Sequence, residues 1–377
     1  MIQVDQKEFL KELEFLVNID SGSRDPEGIR KVAAFFEEKF QELGWIVETH
    51  HIGDQVGPFL EIKNRKSDSY DVLMMGHMDT VFPLGTAAER PYREEGNRAY
   101  GPGVYDMKSG CLLAYYVCKE MEREGSLKNT SIQLAFNPDE EISSIYSRLV
   151  LEEMIKKSRY ALVMEGGRPN GNLVNQRKGI GKYVVEFFGK AVHAGVEPEN
   201  GASSIHEFLS RGQEILSWAK PEIGTTINIG TVKGGIGPNT VADYATCEID
   251  IRVSTLAEGT RIVALFESLP EKVQIPGVTI KVTGGIRRPP LDPTEKSLQF
   301  CEQIDRIKEE IGLDIGWTST GGGSDGNFSS ALGVPTVDAL GPVGGAGHQV
   351  AEYMDIDSIS TRSQLLYEII KYCTSTR

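Results

Sequence analysis

The chain has 377 residues, with 40 Lys+Arg against 54 Asp+Glu and a formal net charge of −14. At about 150 residues per domain this length suggests two domains, or three, and 40% hydrophobic with 25% charged residues is ordinary globular composition. The acidic balance argues against a nucleic-acid partner, which needs a basic footprint, and against docking on anionic membrane surfaces.

Met1-Ile2-Gln3-Val4 carries no basic stretch leading into an apolar one, so no secretory leader is expected. No run approaches the ~18 apolar residues of a membrane span. Five cysteines (Cys111, Cys118, Cys247, Cys301, Cys373) are an odd number, and no pair has CxxC spacing. They read as reduced core thiols of a cytoplasmic protein, not as a disulfide framework or a structural zinc knot.

Taken in order, Asp5 to Val17 has helical apolar spacing. Ser21 to Gly28 reads as a loop by its turn residues. Ile29 to Leu43 is a second amphipathic helix stopped at Gly44. Short strands are expected at Val47 to His51 and at Phe59 to Lys63. A repeated pattern follows: strand Asp71 to Gly76, helix Met107 to Glu124, strand Ser131 to Phe136, helix Ser144 to Lys157, strand Tyr160 to Met164. Alternating strands and helices imply right-handed crossovers and a mostly parallel sheet covered on both faces.

The middle of the chain differs. Lys182 to His193 alternates like a strand and Ser203 to Lys220 is helical. Thr225 to Lys233 and Val241 to Val253 are strand-like, Leu256 to Val273 is helical, and Val278 to Gly284 is a strand. That order, β-α-β-β-α-β, is the split pattern of a ferredoxin-like domain. Helix Glu295 to Ile311, strand Val334 to Leu340 and helix Ile356 to Tyr372 then resume the first pattern. The expected fold class is α/β with an inserted α+β ferredoxin-like domain at 179–287, flanked by 1–178 and 288–377.

The polar ends of the strands are informative, because open α/β sheets bind ligands outside the carboxyl ends of their strands. Three successive strands run into His77, the Glu140-Glu141 pair and Glu165, and a fourth leads through a Gly-rich loop to His348. Asp106 stands just ahead of a helix, where the macrodipole favours negative charge. Histidine and carboxylate donors without cysteine suit Zn²⁺, Mn²⁺ or Co²⁺ in a catalytic site. His77 and Asp79 share a face of an extended segment, so Asp79 could accept the second ring N–H of a ligating His77. Each motif alone is as well explained by solvated side chains in a loop.

The ordered set is more specific. His77-x-Asp79, Gly101-Pro102-Gly103-Val104-Tyr105-Asp106-Met107-Lys108-Ser109-Gly110, Asp139-Glu140-Glu141, Glu165 and His348 together resemble the zinc aminoacylase/carboxypeptidase family of dinuclear metallohydrolases, most of all its glutamate carboxypeptidase type. The resemblance covers nearly the whole chain. It implies a zinc-hydrolase catalytic domain in two pieces (1–178 and 288–377) and a lid and dimerisation domain (179–287). It implies two Zn²⁺ per subunit, with Mn²⁺ or Co²⁺ as substitutes, and a cis peptide after Asp106. Asp106 would bridge the two ions, His77 and Glu165 would complete one, and Glu141 and His348 the other. Glu140 would be the general base, and Asp79 would orient His77.

The resemblance extends into the insert. His193, in Lys190-Ala191-Val192-His193-Ala194-Gly195, resembles a lid histidine that helps hold the substrate carbonyl. Asn239 and Arg252 resemble residues that grip a substrate carboxylate, a task suited to the arginine fork. Arg288 resembles a second such arginine, with Arg177 a weaker candidate. Gly322 and Gly323 belong to a Gly-rich loop that resembles one lining the substrate pocket in the family, and no phosphate-loop motif is present. His50, His51 and His206 read as structural or solvated.

The implied activity is hydrolysis of an amide bond by a metal-bridging hydroxide, releasing a C-terminal amino acid, glutamate among the candidates. N-acyl amino acid deacylase and di- or tripeptidase are the alternatives; a non-catalytic metal-binding protein is disfavoured by the complete donor set. The expected partners are a small peptide or N-acyl amino acid and a second copy of the chain through the lid, with no nucleic acid and no membrane.

Overall fold

The computed structural model describes residues 2–375. Its packing divides the chain into two compact units, one of Met1–Asn175, Pro293–Ser319 and Ser324–Arg377, the other of Gln176–Asp292 with Thr320–Gly323.

The first unit is built on a six-stranded sheet in the spatial order Ile46–His50, Phe59–Lys63, Ile132–Asn137, Tyr70–His77, Ser158–Val163, Thr336–Val337. The last four run parallel, and Ile46–His50 and Phe59–Lys63 add antiparallel pairings. Every residue of Tyr70–His77 and Ile132–Asn137 is buried, as expected where helices cover both faces. The period-2 alternation decides which face each side chain meets. Val72 and Met74 pack with Phe9, Phe36, Phe40 and Leu112 on one side. Leu73 and Met75 pack with Leu151, Met154 and Phe328 on the other.

Helix Gln6–Val17 starts where Asp5 accepts the backbone N–H groups of Lys7 and Glu8. The next helix is longer than expected, Pro26–Glu42 rather than Ile29 to Leu43. Asp25 caps it by accepting from Gly28 N, and Pro26 has the fixed φ that suits a first helical position. The helix expected from Ser144 begins only at Arg148. Before it lie the 3₁₀ turn Glu140–Ile142 and two serines, Ser143 and Ser144, with φ of 74° and 52°. Of the strand expected at Val334 to Leu340 only Thr336–Val337 joins the large sheet, with Asp338 in a single antiparallel bridge to Val174; Pro335 lacks an N–H and Ala339 has a φ of 64°. A four-stranded small sheet was not expected: Gly344–Gly345, Tyr353–Asp355, Arg98–Tyr100 and Arg93–Glu95, all antiparallel. It ties the chain just before Asp106 to the chain just after His348.

The second unit is an antiparallel sheet in the order Thr226–Gly234, Tyr244–Val253, Gly179–Phe188, Thr279–Arg288. Helices Ser204–Ser217 and Leu256–Ser268 complete the β-α-β-β-α-β order. Its core is separate, with Val185, Phe187, Cys247, Ile249 and Ile262 at its centre and Tyr183 stacked on Phe266 at 3.8 Å between ring centroids. The unit begins and ends slightly outside 179–287, because Arg177 and Leu291 close it by a mutual backbone pairing. The strand expected to reach His193 stops at Phe188. All five cysteines are buried free thiols. Among the described residues no helix is long and apolar enough to cross a membrane.

Candidate metal centre

Three strands of the large sheet deliver the first candidate donors. His77 closes Tyr70–His77 and is 1% exposed. Glu140 and Glu141 follow strand Ile132–Asn137, and Glu165 follows Ser158–Val163. His348 and Asp106 come from loops, the second with a cis peptide to Met107 and immediately ahead of helix Lys108–Arg123.

Asp106 lies between the two histidines. Its Oδ1 is 3.1 Å from His77 Nε2 and its Oδ2 is 3.2 Å from His348 Nε2. Each histidine has a further carboxylate of its own: Glu165 Oε1 at 3.7 Å from His77 Nε2, and Glu141 Oε2 at 3.1 Å from His348 Nε2. Donor atoms of His77, Glu140 and Glu165 lie within 4.8 Å of one another, as do those of His77, Asp106 and Glu141.

Asp79 organises the set from beneath. It is fully buried, and His77 Nδ1 meets its backbone carbonyl at 2.9 Å and its Oδ1 at 3.3 Å. That contact occupies Nδ1 and leaves Nε2 to face Asp106 and Glu165. The same carboxylate accepts from Glu140 N, Glu141 N and Ser23 Oγ at 3.1, 3.2 and 2.6 Å. One side chain thus fixes the ring of His77 and the backbone of both tandem acids.

The electrostatics show a deficit of positive charge. Burial opposes charge on His77, yet hydrogen bonding to Asp106 and Asp79 and the charge of Glu165 hold its imidazole well above 6.5. Asp106 and Glu141 push His348 up to about 11. Burial raises Asp106, but both histidines hold it below the usual carboxylate range. Burial pushes Glu141 up. Protons on two histidines here do the balancing that cations would do in their place.

The donor set fits metal. Donors about 2.1 Å from a tetrahedral ion are about 3.4 Å from one another, and the four histidine–carboxylate distances, 3.1, 3.2, 3.1 and 3.7 Å, straddle that value. Glu141 Oε1 is buried with no hydrogen-bond partner, an orphan acceptor that an ion would satisfy. Cys111 lies beneath the site, its Sγ donating to the carbonyl of His77 at 3.4 Å. Burial pushes its thiol up to about 12, which suits a protonated Sγ turned to the His77 carbonyl.

Other residues near the site were given no role from the sequence. Ser23 is one, and Asp325 another, accepting from Ser144 Oγ at 2.6 Å and from Asn137 Nδ2 to brace the turn that carries the tandem acids. Glu352 is the third; its oxygens take backbone N–H groups of Gly103, Tyr105 and Asp106.

The remaining expected site residues belong to the second unit. His193 pairs across the backbone with Thr240, and Ala194 N donates to Asn239 O at 2.9 Å, so His193 and Asn239 are neighbours. Arg252 is turned to Asp250, at 3.0 and 3.2 Å. Arg288 is 2% exposed; a Cβ on Gly323 would stand 2.6 Å from its Cδ. Arg177 Nη1 reaches the carbonyls of Gly322 and Gly323 at 3.4 and 3.3 Å. Arg177, Arg288, Gly322 and Gly323 therefore form one cluster.

The sequence model of the Peptidase family M20/M25/M40 matches residues 73–372. This chain belongs to that family. It is 30% identical over 373 residues to carboxypeptidase G2 of Pseudomonas sp. (strain RS-16), covering 97% of this chain and 89% of the relative. It is 26% identical over 371 residues to succinyl-diaminopimelate desuccinylase of Psychrobacter arcticus, covering 89% of this chain and 87% of that one. The crystal structure of aminopeptidase PepT from Bacillus cereus superposes with a TM-score of 0.80 at 22% identity, over 98% of this chain and 99% of that one, and shares its fold. The M20-family chain is a metallohydrolase, and peptidase or deacylase chemistry is the activity its relatives support.

Proposed function

We propose that this M20-family enzyme is a dinuclear zinc carboxypeptidase that releases a C-terminal amino acid, with an acidic residue such as glutamate preferred. The observation that carries the dinuclear reading is Asp106, with one oxygen on His77 and the other on His348, and a separate carboxylate beside each histidine. His77, Asp106 and Glu165 would hold one ion, and Asp106, Glu141 and His348 the other. Mn²⁺ or Co²⁺ would suit the same donors. When bound, two dications supply Lewis acidity and lower the pKa of a water to the neutral range.

The chain's residues do the rest. Asp79 keeps the His77 ring in the orientation that presents Nε2. Glu140 takes the proton of the attacking water and returns it to the leaving amine. Its backbone N–H is tied to Asp79, which fixes where the base stands. His193 and Asn239 are assigned to the substrate carbonyl and carboxylate. Arg288 and Arg252, with Gly322 and Gly323, are assigned to the carboxylates of the released residue. The carboxypeptidase relative supports this choice of leaving group. The desuccinylase relative supports a second reading, N-acyl amino acid deacylase, in which the same centre cleaves a smaller acyl group. A homodimer through the second unit and a cytoplasmic location complete the proposal.

Glu140 is near enough to Glu165 and His77 to serve as a ligand instead of a base. Glu140→Gln separates the roles. As the base, its loss lowers kcat by about 10²–10⁴-fold while two ions per chain remain bound. Full activity in that variant, or loss of one ion, would refute the assignment. A panel of folyl-type glutamates, N-acyl amino acids and dipeptides decides between carboxypeptidase, deacylase and dipeptidase.

A further inference from the structure

Glu352 is 1% exposed and 249 residues from Gly103, yet both of its oxygens are committed to the segment that carries Asp106. Oε2 accepts from Gly103 N at 3.0 Å; Oε1 accepts from Tyr105 N and Asp106 N, both at 2.9 Å. Three backbone donors converge on one buried carboxyl group and satisfy both of its oxygens. Glu352 itself is held by the small sheet, in which Tyr353 pairs with Tyr100. Its N–H donates to Gln349 O at 3.2 Å, closing the turn that follows His348.

We infer that Glu352 is a positioning residue that sets Asp106 between His77 and His348, and so tunes both ion sites at once. This rests on the dinuclear reading above. The argument is geometric. Asp106 can serve two histidines only if its backbone stands midway between them, and Gly101 and Gly103 bring no side chains of their own to hold it there. Glu352 supplies the missing constraint from the far side of the loop, as carboxylates behind metal ligands do.

The test uses the full-length protein, freed of metal and titrated with Co²⁺ alone, read by visible absorption and calorimetry. Glu352→Gln has the same shape but presents an amide NH₂ to at least one of the three donors. The expected result is a 10–100-fold loss of Co²⁺ affinity at both sites, with an altered absorption band. A Phe36→Leu variant, destabilised in the core of the same unit, keeps both affinities. If Glu352→Gln holds both ions within twofold of wild type, the inference is overturned. A second measurement needs no variant: in metal-free wild-type protein the amides of Gly103, Tyr105 and Asp106 are expected to be protected from hydrogen exchange, and rapid exchange there overturns the inference as well. A wild-type protein that takes up a single Co²⁺ would refute the dinuclear reading instead, and amide protection would still judge Glu352.

Discussion

Asp79 shows how much one buried carboxylate can decide. It meets the Nδ1 side of His77 and takes the backbone N–H groups of Glu140 and Glu141, so three proposed functional side chains depend on one anchor. Asp79→Asn keeps the shape and removes the charge. We expect a 10–100-fold weaker ion at the His77 site, with the His348 site less affected, measured by stepwise metal titration. At this scale the sequence was most legible where a proposed donor follows an apolar strand, as His77 and Glu165 do, because a continuous apolar run meeting a polar residue is a visible change of pattern. Glu352, Ser23 and Asp325 carried no such mark. Their partners are backbone groups or residues distant in the chain, and a single carboxylate or hydroxyl in a loop looks the same whether it braces a site or faces water.

Among the elements, helix Lys108–Arg123 lies against the strand ends with almost no gap. A Cβ at Gly110 would sit 1.9 Å from the carbonyl oxygen of Met164, the residue before Glu165. Gly110→Ala therefore forces the helix or the strand end to move. We expect a loss of about 1–3 kcal/mol, seen as a lower Tm, together with weaker metal binding because Glu165 moves with Met164. The capping of helix Pro26–Glu42 makes a control: Asp25→Ala removes one cap, costing about 1 kcal/mol, and leaves metal affinity unchanged. Apolar spacing located the long helices and strands but not short ones such as Leu173–Arg177, Trp317–Thr320 and Gly326–Ala331, and the boundaries that missed are those set by backbone chemistry. Pro26 began a helix inside what looked like a loop, and the left-handed Ser143 and Ser144 delayed another. The small sheet that joins Arg98–Tyr100 to Tyr353–Asp355 escaped notice because three-residue strands have too little pattern to read.

On the scale of the whole molecule, the two units have separate cores and different sources of stability. Chelation with EDTA should lower the unfolding temperature of the metal-bearing unit and leave that of the other in place, measured by calorimetry. Acid should act on the second unit through Glu258, which hydrogen-bonds Arg261 and Thr225. Arg261 foremost holds this carboxyl down to about 2 from an ordinary 4.5. A depressed carboxyl contributes stability that is complete above the unfolded value and is lost as pH falls from about 4.5 through about 2. With a partly exposed arginine as partner, its contribution is on the order of 2 kcal/mol. Glu258→Gln should flatten the pH dependence of that unit's unfolding in this window. The α+β insert was legible from its element order, since four strands and two helices in one sequence pattern admit few arrangements.

The pairing of Glu352 with Gly103 also places a clock on the birth of the enzyme. These partners are 249 residues apart, and translation at about 5–20 residues per second separates them by roughly 12–50 seconds. For most of that interval a nascent chain has His77, Asp106, Glu140, Glu141 and Glu165 but neither His348 nor the carboxylate that seats Asp106. On the dinuclear reading proposed above, the centre is therefore completed only once residues 348–352 have been made.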